Sequence, residues 1–202
     1  MPRWITTLTQ KIEDWASDKE LVYNFAEKYY HDVIEREAVL ANINKNDHIL
    51  CIGGGYCPFS AILLHQMTGA KCTVIDNNIN CISKARQVIG RLGYSDDVKV
   101  KCQDGGSVGL KFSDYTIVHF ALQVCPMENV FSYVEKHAVP GTKLLIRRPK
   151  GRLKNLYSKF NTSIVNSLLR SCPLTSHKKA RNIGSTLLYI KQESICENVC
   201  VG

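Results

Sequence analysis

The sequence predicts an α/β fold: a doubly wound, mostly parallel β-sheet with helices on both faces. Three observations predict it. Short apolar segments alternate with segments of helical periodicity along most of the 202 residues, which is the order typical of a parallel sheet with crossover helices. The first apolar segment ends in a run of three glycines. The composition, 45% hydrophobic and 22% charged, is that of a globular domain and excludes a largely disordered chain.

The elements can be assigned in order from their periodicity and from the turn residues between them. Residues 8–40 carry apolar side chains near helical spacing, and a polar break follows at 42–47. We therefore divide the chain into an N-terminal helical segment, residues 1–45, and an α/β domain, residues 46–202. Within that domain apolar runs predict strands at 48–52, 72–75, 98–102, 115–120, 143–147 and 186–191, and helical spacing predicts helices at 59–67, 79–92, 130–137 and 156–169.

The start of the chain and its cysteines indicate the compartment. The first residues, MPRWI, are soon followed by charged side chains, which is not the pattern of a secretory signal, and no apolar run reaches the roughly 18 residues of a membrane span. Nine cysteines, an odd number with no C-x-x-C pair, predict free thiols, and no metal site is expected. These features predict a cytoplasmic protein with no membrane partner.

Positive charge is concentrated in one part of the chain. The net charge is +8, and residues 143–181 hold 11 Lys and Arg with no Asp or Glu. Such a field attracts small anions, nucleic acid or an acidic partner, although a solvated basic face is an equally good interpretation. Only Tyr157 and Phe160 interleave with the basic side chains. A stacking platform for single-stranded nucleic acid is therefore possible but not favoured.

The three glycines after the first strand have the features of a turn that contacts a bound ligand. Gly53, Gly54 and Gly55 allow the backbone to turn sharply and to come close to a bound molecule. Pro58 suits the first turn of the following helix, where a missing N–H costs nothing, and the amides at that helix start face an anion. A purely structural strand–helix turn is the alternative interpretation.

Acidic residues follow the next two strands at the spacing of a nucleotide site. Asp76, with Asn77 beside it, lies 21 residues after Gly55, near the ~20 expected for a carboxylate that binds ribose hydroxyls. Asp104 follows the third strand and is placed to bind adenine or ribose. Because Pro58 stands where a dinucleotide fingerprint has its third glycine, the pattern favours a smaller adenosine ligand such as S-adenosylmethionine (SAM). The predicted ligand-binding residues are Gly53, Gly54, Gly55, Pro58, Asp76, Asn77 and Asp104.

Polar side chains are also predicted at the carboxyl ends of two further strands, where open α/β sheets bind ligands. His119 lies near the end of the fourth strand, and an imidazole at that rim titrates near neutrality and can act as a base. A partly buried, hydrogen-bonded histidine is the alternative. Arg147 ends the fifth strand and is suited to clamp a substrate carboxylate with two hydrogen bonds. Arg148 extends this positive rim.

The residues from Ile52 to Leu64, IGGGYCPFSAILL, resemble the nicotianamine synthase family. In that family a glycine turn leads to Pro, a large apolar residue, Ser or Thr, and an apolar helix. Cys51 and Ile52 occupy the region where common methyltransferases carry an acid; nicotianamine synthases also lack it, which favours the synthase branch. The similarity covers about residues 28–191 and continues through Val74-Ile75-Asp76, Ser83, Arg86, Gln103-Asp104, Leu145-Ile146-Arg147 and Gly151.

The resemblance implies a class I SAM-methyltransferase-like Rossmann fold with S-adenosyl-L-methionine as the cofactor. It implies transfer of the 3-amino-3-carboxypropyl group of SAM, not its methyl, onto the amine of a small molecule or amino acid, with release of methylthioadenosine (MTA). By the same resemblance Tyr30 would face the transferred group, and a nearby carboxylate, which we assign to Glu37, would receive the amine. Tyr30, Glu37 and His119 are thus the predicted catalytic residues, and Arg147 and Arg148 the predicted substrate-binding residues.

Two other functions are compatible with the sequence. One is a SAM-dependent methyltransferase that acts on a small molecule. The other is a non-catalytic module that binds SAM or, through the basic residues 143–181, RNA. Loss of turnover with intact SAM affinity after alanine substitution of His119 or Tyr30 would indicate an enzyme, whereas salt-sensitive binding that ignores SAM would indicate RNA binding. The oligomeric state does not follow from the sequence.

Overall fold

A seven-stranded β-sheet forms the centre of the structure, a computed structural model that describes residues 20–107 and 109–193. Strands and helices alternate through most of the chain, and two short 3₁₀ helices lie at Phe112–Asp114 and Gly151–Leu156. This order confirms the predicted α/β class. The other elements are α1 (Glu20–Ala41), β1 (His48–Ile52), α2 (Phe59–Thr68), β2 (Lys71–Asp76), α3 (Ile79–Arg91), β3 (Val98–Cys102), β4 (Ile117–Phe120), α4 (Met127–His137), β5 (Lys143–Pro149), α5 (Thr162–Ser171), β6 (Leu174–Ser176) and β7 (Ile183–Ile190).

The strand order is β3-β2-β1-β4-β5-β7-β6. Strands β1 to β5 are all parallel to one another. The chain runs outward from β1 to β3 and then returns to the other side of β1 with β4. At such a reversal the loops at the carboxyl ends of the two central strands diverge, and this crevice is where open α/β sheets bind ligands.

The last two strands extend the sheet in the antiparallel direction, β7 beside β5 and β6 beside β7. The predicted final strand at 186–191 corresponds to β7, which begins earlier, at Ile183. β6 was not predicted. It has only three residues, two of them exposed, so no apolar run marks it in the sequence.

Helices cover both faces of the sheet, as predicted, and each face has its own apolar core. α1, α2 and α3 pack on one face, and α4 and α5 pack on the other. Side chains of a strand alternate between the two faces: in β1, Ile49 and Cys51 belong to the first core, and Leu50 and Ile52 to the second. None of the five helices described here is long and apolar enough to span a membrane.

α1 packs directly onto the sheet rather than standing apart from it. Ile34 and Ala41 are buried in the first core. The Lys143 side chain of β5 donates from Nζ to the Ala41 carbonyl at the end of the helix (2.6 Å). Residues 8–19 of the predicted helix lie outside the described residues, and the domain division after residue 45 stays a prediction.

The last predicted helix is wrong in its first half. α5 begins only at Thr162, and residues Gly151–Leu156 form a 3₁₀ helix. The side chain of Asn161 accepts a hydrogen bond from the N–H of Ser163 (2.9 Å), which caps the start of α5. Phe160 supplied part of the apolar periodicity, but it packs against the second core from the loop before the helix.

Candidate functional site

The glycine run forms a tight turn between β1 and α2. Gly53 and Gly55 have φ angles of +84° and +61°, which L side chains rarely adopt. The N–H of Gly53 donates to a carbonyl at the end of β2 (2.9 Å). A Cβ at Gly54 would overlap the Val74 side chain, so the turn lies directly on β2. Pro58 stands immediately before α2, at its N-cap, rather than in the first helical turn.

Asp76 fixes this turn from the end of β2. One carboxylate oxygen accepts a hydrogen bond from the N–H of Gly55 (2.8 Å), and the other accepts from the N–H of Asn78 (2.9 Å). Each oxygen keeps a second lone pair for a hydroxyl donor. The predicted ribose-binding carboxylate therefore also organises the loop that would surround the ligand.

A cavity of about 270 Å³ opens at the carboxyl ends of β1 and β2, and we call it the Asp76 cavity. Its polar walls include Asp76, Asn77, Gln103 and Asp104, and its apolar walls include Ile52 and Val130. A concave site with an apolar body and a few polar groups is typical of a small-molecule site. The structure thus brings together five of the predicted ligand-binding residues: Gly53, Gly55, Asp76, Asn77 and Asp104.

A second, smaller cavity of about 60 Å³ lies on the other side of the glycine turn, and we call it the Tyr30 cavity. The ring of Tyr30 stacks on Phe59, with centroids 5.9 Å apart and planes 14° apart. Arg147 Cζ lies 5.9 Å from the centre of the same ring, within reach of a cation–π contact. His119, Gly54 and Pro58 also line the Tyr30 cavity, and it shares Ile52, Gly53 and Gln123 with the Asp76 cavity.

Behind the Tyr30 cavity, the carboxylate of Glu37 is the centre of a buried hydrogen-bond network. Arg147 donates from Nε to Oε1 and from Nη2 to Oε2, both at 2.7 Å. His119 Nε2 donates to Oε2 (3.1 Å), and Thr186 Oγ1 donates to Oε1 (2.6 Å). Arg147 also donates from Nη1 to Ser60 Oγ (2.8 Å). Four donors saturate the Glu37 carboxylate, which therefore anchors two wall residues and is not itself part of the wall.

Charge and burial fix the protonation states in this network. Burial alone would keep Glu37 neutral, but the Arg147 guanidinium, with the His119 contact, outweighs it and holds the pKa of the Glu37 carboxyl well below its usual range. Burial, and then the charge of Arg147, lower the pKa of His119. Burial would also lower the pKa of Arg147, but Glu37 outweighs it, so the pKa of Arg147 is raised. The network therefore holds an ionised Glu37–Arg147 pair and a neutral His119.

His119 was predicted at the rim of the sheet, but its side chain is only 1% exposed. The alternation of side chains along β4 turns it toward α1, on the same face as Ile117. Because an ionised carboxylate only accepts hydrogen bonds, Nε2 of His119 carries the proton that is donated to Glu37. In the neutral ring, Nδ1 then keeps its lone pair.

The two arginines at the end of β5 also have different surroundings from those predicted. The guanidinium of Arg147, predicted as a clamp for a substrate carboxylate, is already paired with Glu37. Arg148 lines a third cavity of about 430 Å³ between the end of β5, the 3₁₀ helix at Gly151–Leu156 and α5, which we call the Lys154 cavity. Leu122 and Arg147 line both this cavity and the Tyr30 cavity.

Sequence reasoning missed a second branch of the Glu37 network. His177 is 0% exposed, and its Nε2 lies 2.8 Å from Thr186 Oγ1. Because the Thr186 hydroxyl donates to Glu37, it accepts from His177. Thr186 lies opposite Arg147 in the pairing of β7 with β5. Only that register brings the two residues to one carboxylate, and no local motif in the sequence marks it.

Thr186→Val is expected to lower the free energy of unfolding by about 1–3 kcal/mol, the cost of leaving buried polar groups without a partner. It removes one donor to Glu37 and the acceptor of His177. Thr186→Ser should recover most of the loss because it retains the hydroxyl. The matched control is Thr142→Val: Thr142 is also buried, but within the described residues its hydroxyl has no hydrogen-bond partner. Equal losses in both valine variants, measured by denaturant unfolding, would contradict a role for the Thr186 hydroxyl.

A family model and several solved structures resemble this chain. The model described as nicotianamine synthase protein matches residues 24–179, most of the chain. Its span includes both 3₁₀ helices, the glycine turn and all five catalytic or substrate-binding positions predicted from the sequence: Tyr30, Glu37, His119, Arg147 and Arg148. No curated protein sequence matches the chain.

Among solved structures, a mutant of MtNAS in complex with S-adenosylmethionine has a TM-score of 0.76 at 20% identity, over 95% of this chain and 76% of that chain. MtNAS in complex with MTA and tNA has a TM-score of 0.75 at 19% identity, over 95% and 74% of the two chains. An RNA methyltransferase from Salinibacter ruber in complex with S-adenosyl-L-homocysteine has a TM-score of 0.60 at 18% identity, over 83% and 95%. These likenesses confirm the predicted SAM-methyltransferase-like fold.

Proposed function

The chain belongs to the nicotianamine synthase family and is a SAM-dependent transferase, and we propose that it moves the 3-amino-3-carboxypropyl group of SAM onto the amine of a small molecule. One observation carries the proposal. The Asp76 cavity and the Tyr30 cavity meet at the glycine turn, so a site suited to adenosine adjoins a site that holds Tyr30, His119 and Arg147.

The residues of the Asp76 cavity fit the adenosine part of SAM. Asp76 and Asp104 are acceptors suited to ribose hydroxyls or to an adenine amino group, and Gln103 offers both a donor and an acceptor. The backbone of the turn comes close to this space because Gly53 and Gly55 carry no side chain. The sulfonium end would then lie toward the Tyr30 cavity through the shared walls.

The chemistry that SAM supplies is an electrophilic carbon next to a sulfonium. The acceptor amine forms a C–N bond to that carbon while the C–S bond breaks, and the bonding pair leaves on sulfur as MTA. The amine must be neutral to attack, and it loses a proton as the bond forms. The protein therefore has to align the amine and take up its proton.

Tyr30, His119 and Arg147 have separate roles in this reaction. The stacked rings of Tyr30 and Phe59 form a rigid wall that orients the reacting groups. His119 is the proton acceptor, and its unprotonated Nδ1 receives the proton while Nε2 stays bonded to Glu37. Glu37 then stabilises the imidazolium that results, as the buried carboxylate does in a catalytic triad. Arg147 holds Glu37 ionised, and Arg148, in the wall of the Lys154 cavity, binds the acceptor.

The first experiment is mass spectrometry after incubation of the full chain with SAM and a panel of amines and amino acids. We expect MTA, with an acceptor heavier by one aminocarboxypropyl group. S-adenosylhomocysteine instead would make the protein a methyltransferase. SAM binding without either product would support a non-catalytic module, and salt-sensitive binding of RNA that is independent of SAM would support an RNA-binding protein.

Asp76→Asn is the matched variant for this assay because it keeps the size of the side chain. It places an amide NH₂ near one of the two backbone N–H groups that Asp76 now accepts from. We expect SAM to bind about tenfold or more weakly, which is the effect of one lost hydrogen bond to a charged group, and MTA formation to fall in proportion at low SAM. Unchanged SAM affinity, measured by calorimetry, would exclude the Asp76 cavity as the donor site.

A further inference from the structure

We infer that the Lys154 cavity holds the body of the acceptor and selects an amphipathic organic anion, an amine whose apolar or aromatic middle ends in a negatively charged group. The inference rests on the proposed function, because it names the substrate class of the same transferase. Three features of the cavity support the inference: its position, its charge and its apolar floor.

The position of the Lys154 cavity matches that of an acceptor site. It shares Leu122 and Arg147 with the Tyr30 cavity, which in turn shares Ile52, Gly53 and Gln123 with the Asp76 cavity. The three cavities therefore follow one another, with the predicted transfer position in the middle. The middle cavity measures only about 60 Å³, whereas the Lys154 cavity measures about 430 Å³. Only the larger one has room for the body of a second substrate.

The charge of the Lys154 cavity has one sign. Arg148, Lys154 and Lys159 line it, and none of the described residues in its walls is an Asp or Glu. Arg148 is half-buried, and burial lowers its pKa. Over the residues that the structure describes, none of these three side chains forms a hydrogen bond or an ion pair, in contrast to Arg147, which is paired with Glu37. A half-buried guanidinium without an anion is a costly arrangement that a bound anion would relieve.

The floor of the cavity is apolar and partly aromatic. Met127, Tyr157, Phe160 and Leu169 contribute to it, and Phe160 packs edge-on against Phe131 of the second core (5.1 Å between centroids). Such a floor gains little from a small, fully hydrated anion, but it gains from a hydrophobic or aromatic segment that leaves water. A concave site of this size with cations at its edge also differs from the extended groove that RNA would follow.

The test uses 4-carboxyphenylalanine as the probe and 4-carbamoylphenylalanine as its neutral isostere. Both carry an amine and an aromatic ring, and they differ only in the distal charge. Titration calorimetry with the full chain in the absence of SAM should show the acid binding at least tenfold more tightly than the amide. Arg148→Gln/Lys154→Gln should abolish that preference. Lys99→Gln/Lys101→Gln, which removes two charges from exposed positions on β3 at the far edge of the sheet, should retain it.

The outcomes separate this inference from the proposed function. Any of three results would overturn the inference even if MTA is formed. These are equal affinity for the acid and the amide, no binding of the acid, and an equal loss of the preference for the acid in both double variants. Displacement of the probe by single-stranded RNA with no preference for the acid would overturn it in favour of a nucleic-acid surface. If the preference is found but no MTA forms with any amine, the cavity binds such anions and the transfer reaction is wrong. Thermal unfolding of each variant checks that the fold is retained.

Discussion

Glu37→Gln is expected to lower the free energy of unfolding by about 3–5 kcal/mol, the usual cost of removing one partner of a buried ion pair. The glutamine has nearly the same shape, but it leaves the guanidinium of Arg147 buried without a counter-charge. It also directs an amide NH₂ at one of the donors that Glu37 now accepts from, which are Arg147, His119 and Thr186. Because these donors come from β4, β5 and β7, the loss affects several elements at once.

A double-mutant cycle separates the ion pair from general damage to the fold. Arg147→Met alone is also expected to destabilise the protein strongly, because it leaves the Glu37 carboxylate with fewer donors. The double variant Glu37→Gln/Arg147→Met should lose about 2 kcal/mol less than the sum of the two single losses, since the residues are in direct contact. Glu35→Gln, on the exposed side of the same helix, is the matched control and should stay within about 0.5 kcal/mol of the parent.

The pH dependence of stability gives the same test without a second substitution. The pKa of Glu37 is lower in the folded chain than its ordinary value of 4.5. The ion pair therefore contributes its full stability above that ordinary pKa, and the contribution is lost as the pH falls further toward the folded-state pKa. In Glu37→Gln the decline of stability below about pH 4.5 should be shallower than in the parent. Parallel curves for the two proteins would contradict an ionised Glu37.

The sequence predicted the parts of this site that depend on local pattern. The glycine turn, the acid after β2 and the strands from β1 to β5 follow from periodicity and from spacing along the chain. Glu37 also had a local signal, because it lies three residues after Ile34 and four before Ala41, on the buried face of α1. The mixture of charged and apolar residues along α1 hid that signal.

The rest of the site depends on pairings between distant segments. Glu37 bonds to residues 82, 110 and 149 positions away in the chain, and only the sheet register and the docking of α1 bring them together. The same contacts explain two differences between the predicted and the observed surroundings. His119 faces inward because of its place in the alternation of β4, and the fork of Arg147 binds a carboxylate of the protein instead of a substrate. No spacing rule within one segment contains this information.

His119→Asn is expected to reduce kcat for MTA formation by about 10²–10⁴-fold, the range for loss of a general base. Asparagine can still donate a hydrogen bond toward Glu37 from its amide NH₂, so the network is disturbed less than by alanine. It has no nitrogen that accepts a proton. SAM affinity should stay near that of the parent, because none of the Asp76 cavity walls is changed. His137→Asn, at an exposed position near the end of α4, is the matched control and should leave kcat unchanged.

The pH profile distinguishes a base from a merely structural histidine. Burial, and then the charge of Arg147, lower the pKa of His119 below its ordinary value of 6.5. The neutral ring is the active form, so kcat should be constant above that ordinary value and should fall only at more acidic pH, as the ring takes up a proton. His119→Asn should lose this acid limb along with most of the rate. If the variant keeps the acid limb of the kcat profile but with a lower maximum, the titrating group is another residue and His119 only positions the wall. If the variant keeps the parent's kcat, the amine proton leaves by a route that bypasses the imidazole.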